Sequence, residues 1–384
     1  MSAWSALKLT ECIERIPRAT KVQRKEFKDS GRFPIVSQER GLVNGYWDDE
    51  NDVIRVDRPL VIFGDHTQVV KLVDFDFVIG ADGVRVLKPK PFLDPQYFYY
   101  FLLGNPVRAL GYARHFRLLK DVEVAIPPLP EQKRIVAVLD EAFAGIATAV
   151  ANTEKNLANA RELFESYLNL LFERHKNNYE STELQQVANF QGGSQPPKSV
   201  FINEPRDGYV RLLQIRDFKS DDKAVFIPSS RKNRNCIPSD IMIGRYGASV
   251  GQIHTGKGGA YNVALIKAVP DTSQLTSRYF YYYLLSGLFQ NPLASVASRS
   301  AQAGFSKDDI APFAVPMPPI SEQKLATESL DELREQSTRL ERICTSKLSS
   351  LAELKQSLLQ KAFSGELTAG KEVSDTIRQA EEVT

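Results

Sequence analysis

One stretch of this sequence, about residues 131–174, constrains the fold more than any other. It follows a proline-rich run at 127–130 and contains no further proline. Its apolar residues recur at alternating steps of three and four, which is the pattern of a helix packed along a partner helix. At a rise of about 1.5 Å per residue, about 40 residues form a rod of roughly 60 Å. Because such a rod is long for one compact domain, we expect it to hold two other parts of the chain apart.

The partner helix is predicted in the same chain. The sequence Pro-Leu-Pro-Glu-Gln-Lys at 128–133 is repeated as Pro-Pro-Ile-Ser-Glu-Gln-Lys at 318–324, with an offset of 191 positions between the two glutamates. Leu-Asp-Glu occurs at the same offset, at 139–141 and again at 330–332. This internal repeat predicts two equivalent helices that share one coiled-coil seam. The predicted seam consists of Leu139, Phe143, Ile146, Val150, Leu157 and Phe164 on the first helix and Leu330, Leu333, Leu340, Leu351, Leu354 and Leu358 on the second.

The two segments outside the helices also repeat one another. β-branched and aromatic runs separated by Gly, Asp and Asn turns precede a tyrosine-rich helix, at 97–103 in one segment and at 279–285 in the other. We therefore predict an α+β protein, with two α/β globular lobes separated by two long helices. The predicted boundaries are a first lobe at 1–130, a central helix at 131–174, a second lobe at 175–321, a C-terminal helix at 322–365 and a flexible tail at 366–384.

Composition excludes several classes of protein. Three widely separated cysteines among 384 residues argue against a disulfide framework and a zinc site, and they fit a reducing cytoplasm. The first residues lack the pattern of a secretory signal, and because the sequence has no run of about 18 apolar residues, we expect no membrane span and no membrane partner. The net charge of +2 combines mildly acidic helices and tail with an excess of about +7 in the two lobes. A basic excess suits binding to a polyanion, although charge alone does not decide the matter.

No set of residues predicts catalysis. The run 251–257 has phosphate-loop spacing, but Gly258 stands where a magnesium-binding hydroxyl is required, so a glycine turn is the better interpretation. The four histidines are scattered and build neither an acid/base pair nor a metal site. His175 follows the predicted central helix and is expected in solvent. We therefore predict no catalytic and no metal-ligating residue in this chain.

The loops of both lobes carry Arg, Lys, Gln, Asn and His, side chains that bond phosphate oxygens and base edges. For any single one of them a solvated surface position is the more frequent role, and the cluster at 231–234 is the strongest candidate for phosphate contact. The candidate DNA-binding residues are Gln38, Arg40, Asn44, His66, Gln68, Lys71, Arg85, Arg114 and Arg117 in the first lobe, and Lys198, Arg231, Lys232, Asn233, Arg234, Arg245, His254, Lys257, Arg299 and Gln302 in the second.

The duplicated lobe and helix, each helix starting through a proline and Glu-Gln-Lys, resemble the specificity subunit of Type I restriction–modification enzymes. Phe-Gly-Asp-His at 63–66, Arg-Tyr-Gly at 245–247 and Ala-Phe-Ser-Gly-Glu-Leu at 362–367 also fit that family. One departure is that the first helix lacks the Phe-Ser-Gly-Glu-Leu ending of the second. The resemblance covers nearly the whole chain.

The resemblance implies that the helices form an antiparallel coiled coil with pseudo-two-fold symmetry and that each lobe reads half of a split target in double-stranded DNA. It implies two methylation subunits and restriction subunits as partners, with S-adenosylmethionine, ATP and Mg²⁺ bound on those partners and no cofactor in this chain. A rod of roughly 60 Å agrees with half-sites one to two duplex turns apart, at about 34 Å per turn. The alternatives are a non-catalytic scaffold that binds proteins or polysaccharide through two related lobes, and a self-sufficient nuclease or methyltransferase.

Overall fold

The computed structural model of the chain describes residues 4–16, 19–111, 113–298 and 304–367. The chain divides into two compact units, Met1–Lys155 with Cys344–Thr384 and Asn156–Ile343. Each unit therefore combines one lobe with one part of each long helix. Of the predicted flexible tail, residues 368–384 lie outside the described part of the chain.

The first lobe consists of short strands, short helices and two 3₁₀ turns, Arg24–Glu26 and Glu50–Asp52, and a long helix follows it. The strands are β1 (Ser5–Lys8), β2 (Ile13–Glu14), β3 (Lys21–Val22), β4 (Phe33–Val36), β5 (Gly45–Trp47), β6 (Val53–Ile54), β7 (Leu60–Gly64), β8 (Val70–Val73), β9 (Phe77–Gly80), β10 (Val84–Pro89) and β11 (Glu123–Ile126), and the helices are α1 (Leu9–Cys12), α2 (Pro95–Gly104), α3 (Phe116–Leu119) and α4 (Leu129–Asn178).

Two sheets and a two-stranded pair make up the first lobe. One sheet has the antiparallel order β2-β10-β7-β8, the other has the order β3-β9-β4-β5 with β6 also paired to β9, and β1 pairs with β11. The fully buried strand β7 lies between two cores, because successive side chains of a strand point to opposite faces. Val61 and Phe63 pack with α2 and the long helices, whereas Leu60 and Ile62 pack with the second sheet.

The second lobe repeats this plan, with 3₁₀ turns at Lys198–Val200, Ile215–Phe218 and Gly247–Ser249. Its strands are β12 (Ser181–Glu183), β13 (Ala188–Gly192), β14 (Tyr209–Leu213), β15 (Val225–Pro228), β16 (Asn235–Cys236), β17 (Ile241–Gly244), β18 (Ile253–His254), β19 (Gly259–Tyr261), β20 (Leu265–Pro270) and β21 (Ala314–Pro316), and its helices are α5 (Leu184–Val187), α6 (Ser277–Leu285), α7 (Gly287–Ala297) and α8 (Lys307–Ile310), followed by the long helix α9 (Ile320–Ser364).

The strand orders of the sheets show that the repeat in the sequence is also a repeat in the structure. The order β13-β20-β17-β18 matches β2-β10-β7-β8, and the pair β12-β21 matches β1-β11. Strand β17 again separates two cores, since Ile241 and Ile243 pack with α6 while Met242 packs on the other side. The second sheets correspond as well, since β15-β14-β19-β16 matches β5-β4-β9-β6, and the first lobe adds β3 beside β9. The shared plan with different connecting segments fits one scaffold that carries two sets of loops.

The long helices pack along each other within each unit. In the first unit, Leu139 and Ile146 of α4 share a buried cluster with Leu351 and Leu358 of α9. In the second unit, the later part of α4 meets the beginning of α9, where Leu330 is buried. The start of one helix thus lies against the end of the other, which is the predicted antiparallel coiled coil.

One residue of the predicted coiled-coil seam, Leu340, does not lie in the contact between the helices. The side chain of Leu340 is 47% exposed, whereas Ser337 and Cys344 are buried. The hydroxyl of Ser337 donates to the carbonyl oxygen of Ala160 at 2.7 Å, so a small polar residue fills this part of the contact. The prediction that Leu340 belongs to the seam is therefore wrong, because small side chains occupy the contact at this level of the helices.

The central helix extends further than its predicted end. Helix α4 continues to Asn178, which places His175 in its last turn rather than in a linker. The His175 side chain is 3% exposed and its Nδ1 lies 3.0 Å from the hydroxyl of Tyr279. The expectation that His175 is solvated is wrong, because the helix turns its imidazole into the core of the second lobe. Burial lowers the pKa of this imidazole.

Among the described residues, α4 contains a window long and apolar enough to cross a membrane by length and composition. Asp140 interrupts the apolar character of the helix and accepts hydrogen bonds from Tyr100 and Gln96. Leu139 and Ile146 are buried against α9. These contacts place Leu139 and Ile146 in the core of the coiled coil, whereas 22% of the apolar window as a whole is buried.

Candidate nucleic-acid interface

Asp65 organises the end of strand β7 in the first lobe. Its carboxylate is 1% exposed and accepts from the backbone N–H of Phe116 at 2.7 Å and from Arg85 at 3.1 Å. Burial alone would raise the pKa of Asp65, but these hydrogen bonds outweigh burial and hold the pKa below its usual value. The guanidinium of Arg85 also lies over the Phe116 ring, 5.0 Å from the centroid. Arg85 is therefore half-buried and already paired.

Gln38 and His66 lie together beside the turn that joins β9 and β10. The Gln38 side-chain oxygen accepts from the backbone N–H of His66 at 3.2 Å. Gly83 in this turn has φ +77°, and a Cβ there would lie 2.7 Å from the same oxygen. The His66 ring is held as well, with Nδ1 3.2 Å from the carbonyl oxygen of Ala113. The structure thus brings two predicted residues and one glycine turn into a single surface group.

Lys71 is buried rather than presented to solvent. Its ammonium donates to the carbonyl oxygen of Ser37 at 2.8 Å, to the side-chain oxygen of Asn44 at 3.0 Å and to the carbonyl oxygen of Gly41. Burial lowers the pKa of Lys71 to about 8, with a partial opposing effect from Glu39. Its place on a strand face that is covered by the loop 37–44 explains why it does not reach a phosphate. The prediction that Lys71 contacts DNA is therefore wrong, because its side chain is buried and holds this loop.

The other first-lobe candidates divide between structural and exposed roles. Asn44 accepts from the backbone N–H of Ser37 at 2.8 Å and thus closes the same loop. Gln68 adopts a positive φ of 57° in the turn after β7. Arg40, Arg114 and Arg117 are exposed. Within the described part of the chain these three arginines form no ion pair.

Several cationic candidates of the second lobe already have partners. Lys257 donates to the carbonyl oxygen of Asp217 and pairs with Asp221. Arg245 donates to the carbonyl oxygen of Phe305 at 2.8 Å. The His254 ring stacks on Phe218 with 4.5 Å between centroids. Burial lowers the pKa of His254, and the positive charge of the nearby Lys219 lowers it further. These three side chains hold loops of the lobe in place.

The loop between β15 and β16 carries an exposed basic group. Arg231, Lys232 and Arg234 are exposed, and Asn233 donates to the carbonyl oxygen of Pro228 at 3.0 Å, which shapes the turn. Lys198 is exposed on a separate 3₁₀ turn. In the described ranges none of these four cations has an ion-pair partner. The remaining candidates, Arg299 and Gln302, lie outside the described residues.

A basic groove in the first lobe was not predicted. Arg15, Lys21, Arg85 and Lys120 line it together with Glu14 and apolar side chains. The four cations come from distant points of the sequence, so no local charge run marks the groove. Lys21 donates to the carbonyl oxygen of Val84 at 3.2 Å, and Lys120 lies over the Phe116 ring. Over the described ranges, no group of His, Cys, Asp and Glu is placed to hold a metal ion.

The fold and these surfaces define a class of protein in which two α/β lobes with exposed basic loops are carried by an antiparallel coiled coil. The chain belongs to the family described as Type I restriction modification DNA specificity domain, whose model matches residues 1–157 and 176–348. Each match spans one lobe and the beginning of the helix that follows it. The predicted relationship to Type I specificity subunits is thus confirmed.

Two relatives illustrate the similarity. The chain is 23% identical over 340 residues to the EcoR124I/EcoR124II specificity subunit of Escherichia coli, covering 81% of each protein. It is 22% identical over 317 residues to the StySPI specificity subunit of Salmonella potsdam, covering 74% of this chain and 68% of the relative.

Solved structures share the fold. A chain from work on complex assembly and conformational transition of the type I R-M system matches with a TM-score of 0.77 at 20% identity, covering 96% of this chain and 99% of that one. The HsdS subunit from Thermoanaerobacter tengcongensis matches with a TM-score of 0.54 at 21% identity, covering 95% of this chain and 98% of that one. The predicted fold class is confirmed.

Proposed function

We propose that this chain reads a two-part target in double-stranded DNA, one half with each lobe, and that the coiled coil sets the spacer between the halves. The observation that carries the proposal is the duplication of one scaffold with different loops. Two related lobes on helices of 50 and 45 residues suit two separate half-sites better than one continuous site.

The unpaired cations supply the expected contact with the DNA backbone. Arg231, Lys232 and Arg234 are exposed on one loop, and Arg114 and Arg117 are exposed in the first lobe. Exposed cations without a carboxylate partner bind phosphate with little cost from breaking internal ion pairs. Gln38 and His66 are placed beside one another, and we assign to this pair a contact with a base edge.

We propose that the helices also dock two methylation subunits, which in turn work with restriction subunits. The side chains of Leu170 and Leu325 are 68% and 59% exposed and line one groove of the second unit. Contiguous exposed apolar side chains on a stable helix surface favour a protein partner. In this arrangement the chain is non-catalytic, works in the cytoplasm, and leaves S-adenosylmethionine, ATP and Mg²⁺ to the partner subunits.

The test is methylome sequencing of a methylase-free host that expresses this chain with its methylation subunit. We expect a methylated motif in two parts with a fixed unspecific spacer. A stable complex that methylates nothing, or a chain that binds no DNA with its partners, would instead favour the scaffold alternative. The purified chain alone should show no activity with S-adenosylmethionine or Mg²⁺, and activity there would favour the self-sufficient enzyme.

A further inference from the structure

The glutamine of the Glu-Gln-Lys motif is completely buried in both units. Gln132 and Gln323 are each 0% exposed, although the neighbouring Lys133 and Lys324 are exposed. A primary amide carries one acceptor and two donors, and burying it without partners is unfavourable. The positions of its partners therefore indicate what this residue does.

In the first unit, Gln132 joins the start of α4 to the start of the tyrosine-rich helix α2. Its oxygen accepts from the backbone N–H of Asp94 at 2.7 Å, and its nitrogen donates to the carbonyl oxygens of Phe92 at 3.0 Å and Pro127 at 2.8 Å. Asp94 is the N-cap of α2, where its carboxylate accepts from the N–H groups of the first turn. One side chain thus ties the first turns of two helices together.

In the second unit, Gln323 makes the same three bonds. Its oxygen accepts from the backbone N–H of Thr276 at 2.8 Å, and its nitrogen donates to the carbonyl oxygens of Gln274 at 2.9 Å and Pro318 at 2.9 Å. Thr276 is the N-cap of α6, the counterpart of α2. The cap residue has changed from Asp to Thr while the glutamine bonds are the same, so the bonds do not depend on the cap side chain.

A second polar attachment lies eight residues further along each long helix. Asp140 of α4 accepts from the hydroxyl of Tyr100 on α2. Asp331 of α9 accepts from the hydroxyl of Tyr282 on α6. Eight residues of helix span about 12 Å. Two attachments separated by this distance fix an angle between helices, which a single contact cannot do.

We infer that Gln132 and Gln323 are positioning residues that hold each lobe at one angle on its long helix, and that they thereby fix the spacer length the protein accepts. This inference rests on the proposed reading of a two-part target. Apolar packing between α2 and α4 is non-directional and tolerates small rotations, whereas hydrogen bonds require defined geometry. The spacer length therefore depends on the angle at which each lobe is held on its long helix, as well as on the length of the coiled coil.

The test compares Gln132→Leu and Gln323→Leu with wild type in the methylase-free host that supplies the methylation subunit. The matched control is Gln360→Leu, which changes an exposed glutamine of α9. The readout is methylation of a plasmid library in which the spacer between constant half-sites is one or two base pairs shorter or longer. Leucine keeps the approximate side-chain volume and removes all three hydrogen bonds.

We expect wild type and Gln360→Leu to methylate one spacer length, and each buried variant to methylate neighbouring lengths several-fold more often with unchanged half-site sequences. Reduced methylation with an unchanged spacer preference would overturn the inference and leave these glutamines a purely structural role. If the leucine variants fail to fold, Asp140→Ala and Asp331→Ala remove the acceptor of the second attachment, together with its bonds from Gln96 and Arg278, and should also broaden the spacer. An unchanged spacer there counts against the inference. If wild type methylates no two-part motif, the proposed function fails instead.

Discussion

The hydroxyl of Ser337 donates a hydrogen bond to the carbonyl oxygen of Ala160, linking α9 to α4 at 2.7 Å. Both residues are small and buried, at 7% and 6% exposure. The contact occurs where an apolar seam would be expected, and it leaves Leu340 facing solvent. Small residues at this position let the backbones of the two helices approach each other.

Replacing Ser337 with leucine should destabilise the second unit. The added methyl groups overpack the contact and the interhelical hydrogen bond is lost, so we expect the free energy of unfolding to fall by about 1–3 kcal/mol. Urea denaturation followed by circular dichroism measures the change. Ser350→Leu, at an exposed position of α9, is the control and should change stability little. Equal effects of the two substitutions would show that the Ser337 contact is not closely packed.

Wild type should show a pH dependence of the free energy of unfolding that the Lys71→Met variant lacks. Because burial lowers the folded-state pKa of Lys71 from 10.5 to about 8, the unfolded chain binds more protons between these pH values. Wild-type stability should therefore rise relative to Lys71→Met as pH increases from about 8 to 10.5, and the difference should be constant below this window. The measurement is the free energy of unfolding of both proteins across the window. A constant difference throughout would show that Lys71 titrates normally.

Sequence predicted the features that depend on local spacing. The steps of three and four, the two Glu-Gln-Lys motifs and the repeated tyrosine-rich helices are visible without tertiary information, and they led to the lobes and the coiled coil. The function of Gln132 was not visible, because its partner Asp94 lies 38 positions earlier and is brought near only by packing. The burial of Lys71 was hidden for the same reason, since the loop that covers it begins 34 positions away at Ser37.

The sequence does not show which individual surface side chains are already paired within the protein. Arg85 and Arg231 are both arginines in basic surroundings, yet only Arg85 has a buried carboxylate beside it. Pairing of this kind depends on sheet register, which places Arg85 opposite Phe63 and next to the turn at Asp65. Sequence therefore predicted the type of contact surface, and the structure separates the side chains that are already paired from those that remain open to phosphate.

Removing Arg231 and Arg234 together should weaken DNA binding and its dependence on salt. Each phosphate contact releases condensed counterions, so the double change to alanine should flatten the slope of log affinity against log salt by up to about 2. Fluorescence anisotropy of labelled duplex over a salt series measures this slope for the complex with the methylation subunit. Arg55→Ala is the control, because its guanidinium already pairs with Glu50 and Asp76. An unchanged slope in the double variant would show that the loop between β15 and β16 does not contact DNA.

Placing charge in the apolar groove of the second unit should block assembly without unfolding the chain. Leu170 and Leu325 are largely exposed, so Leu170→Lys with Leu325→Lys removes little buried area from the lobe or the coiled coil. If a methylation subunit covers this groove, two buried lysines would oppose docking by desolvation, and we expect affinity to fall at least about 100-fold. Isothermal titration with the purified methylation subunit measures the loss, and circular dichroism checks the fold. Ser166→Lys, at an exposed position of α4, is the charge control. Full affinity in the double variant would place the methylation subunit elsewhere on the helices.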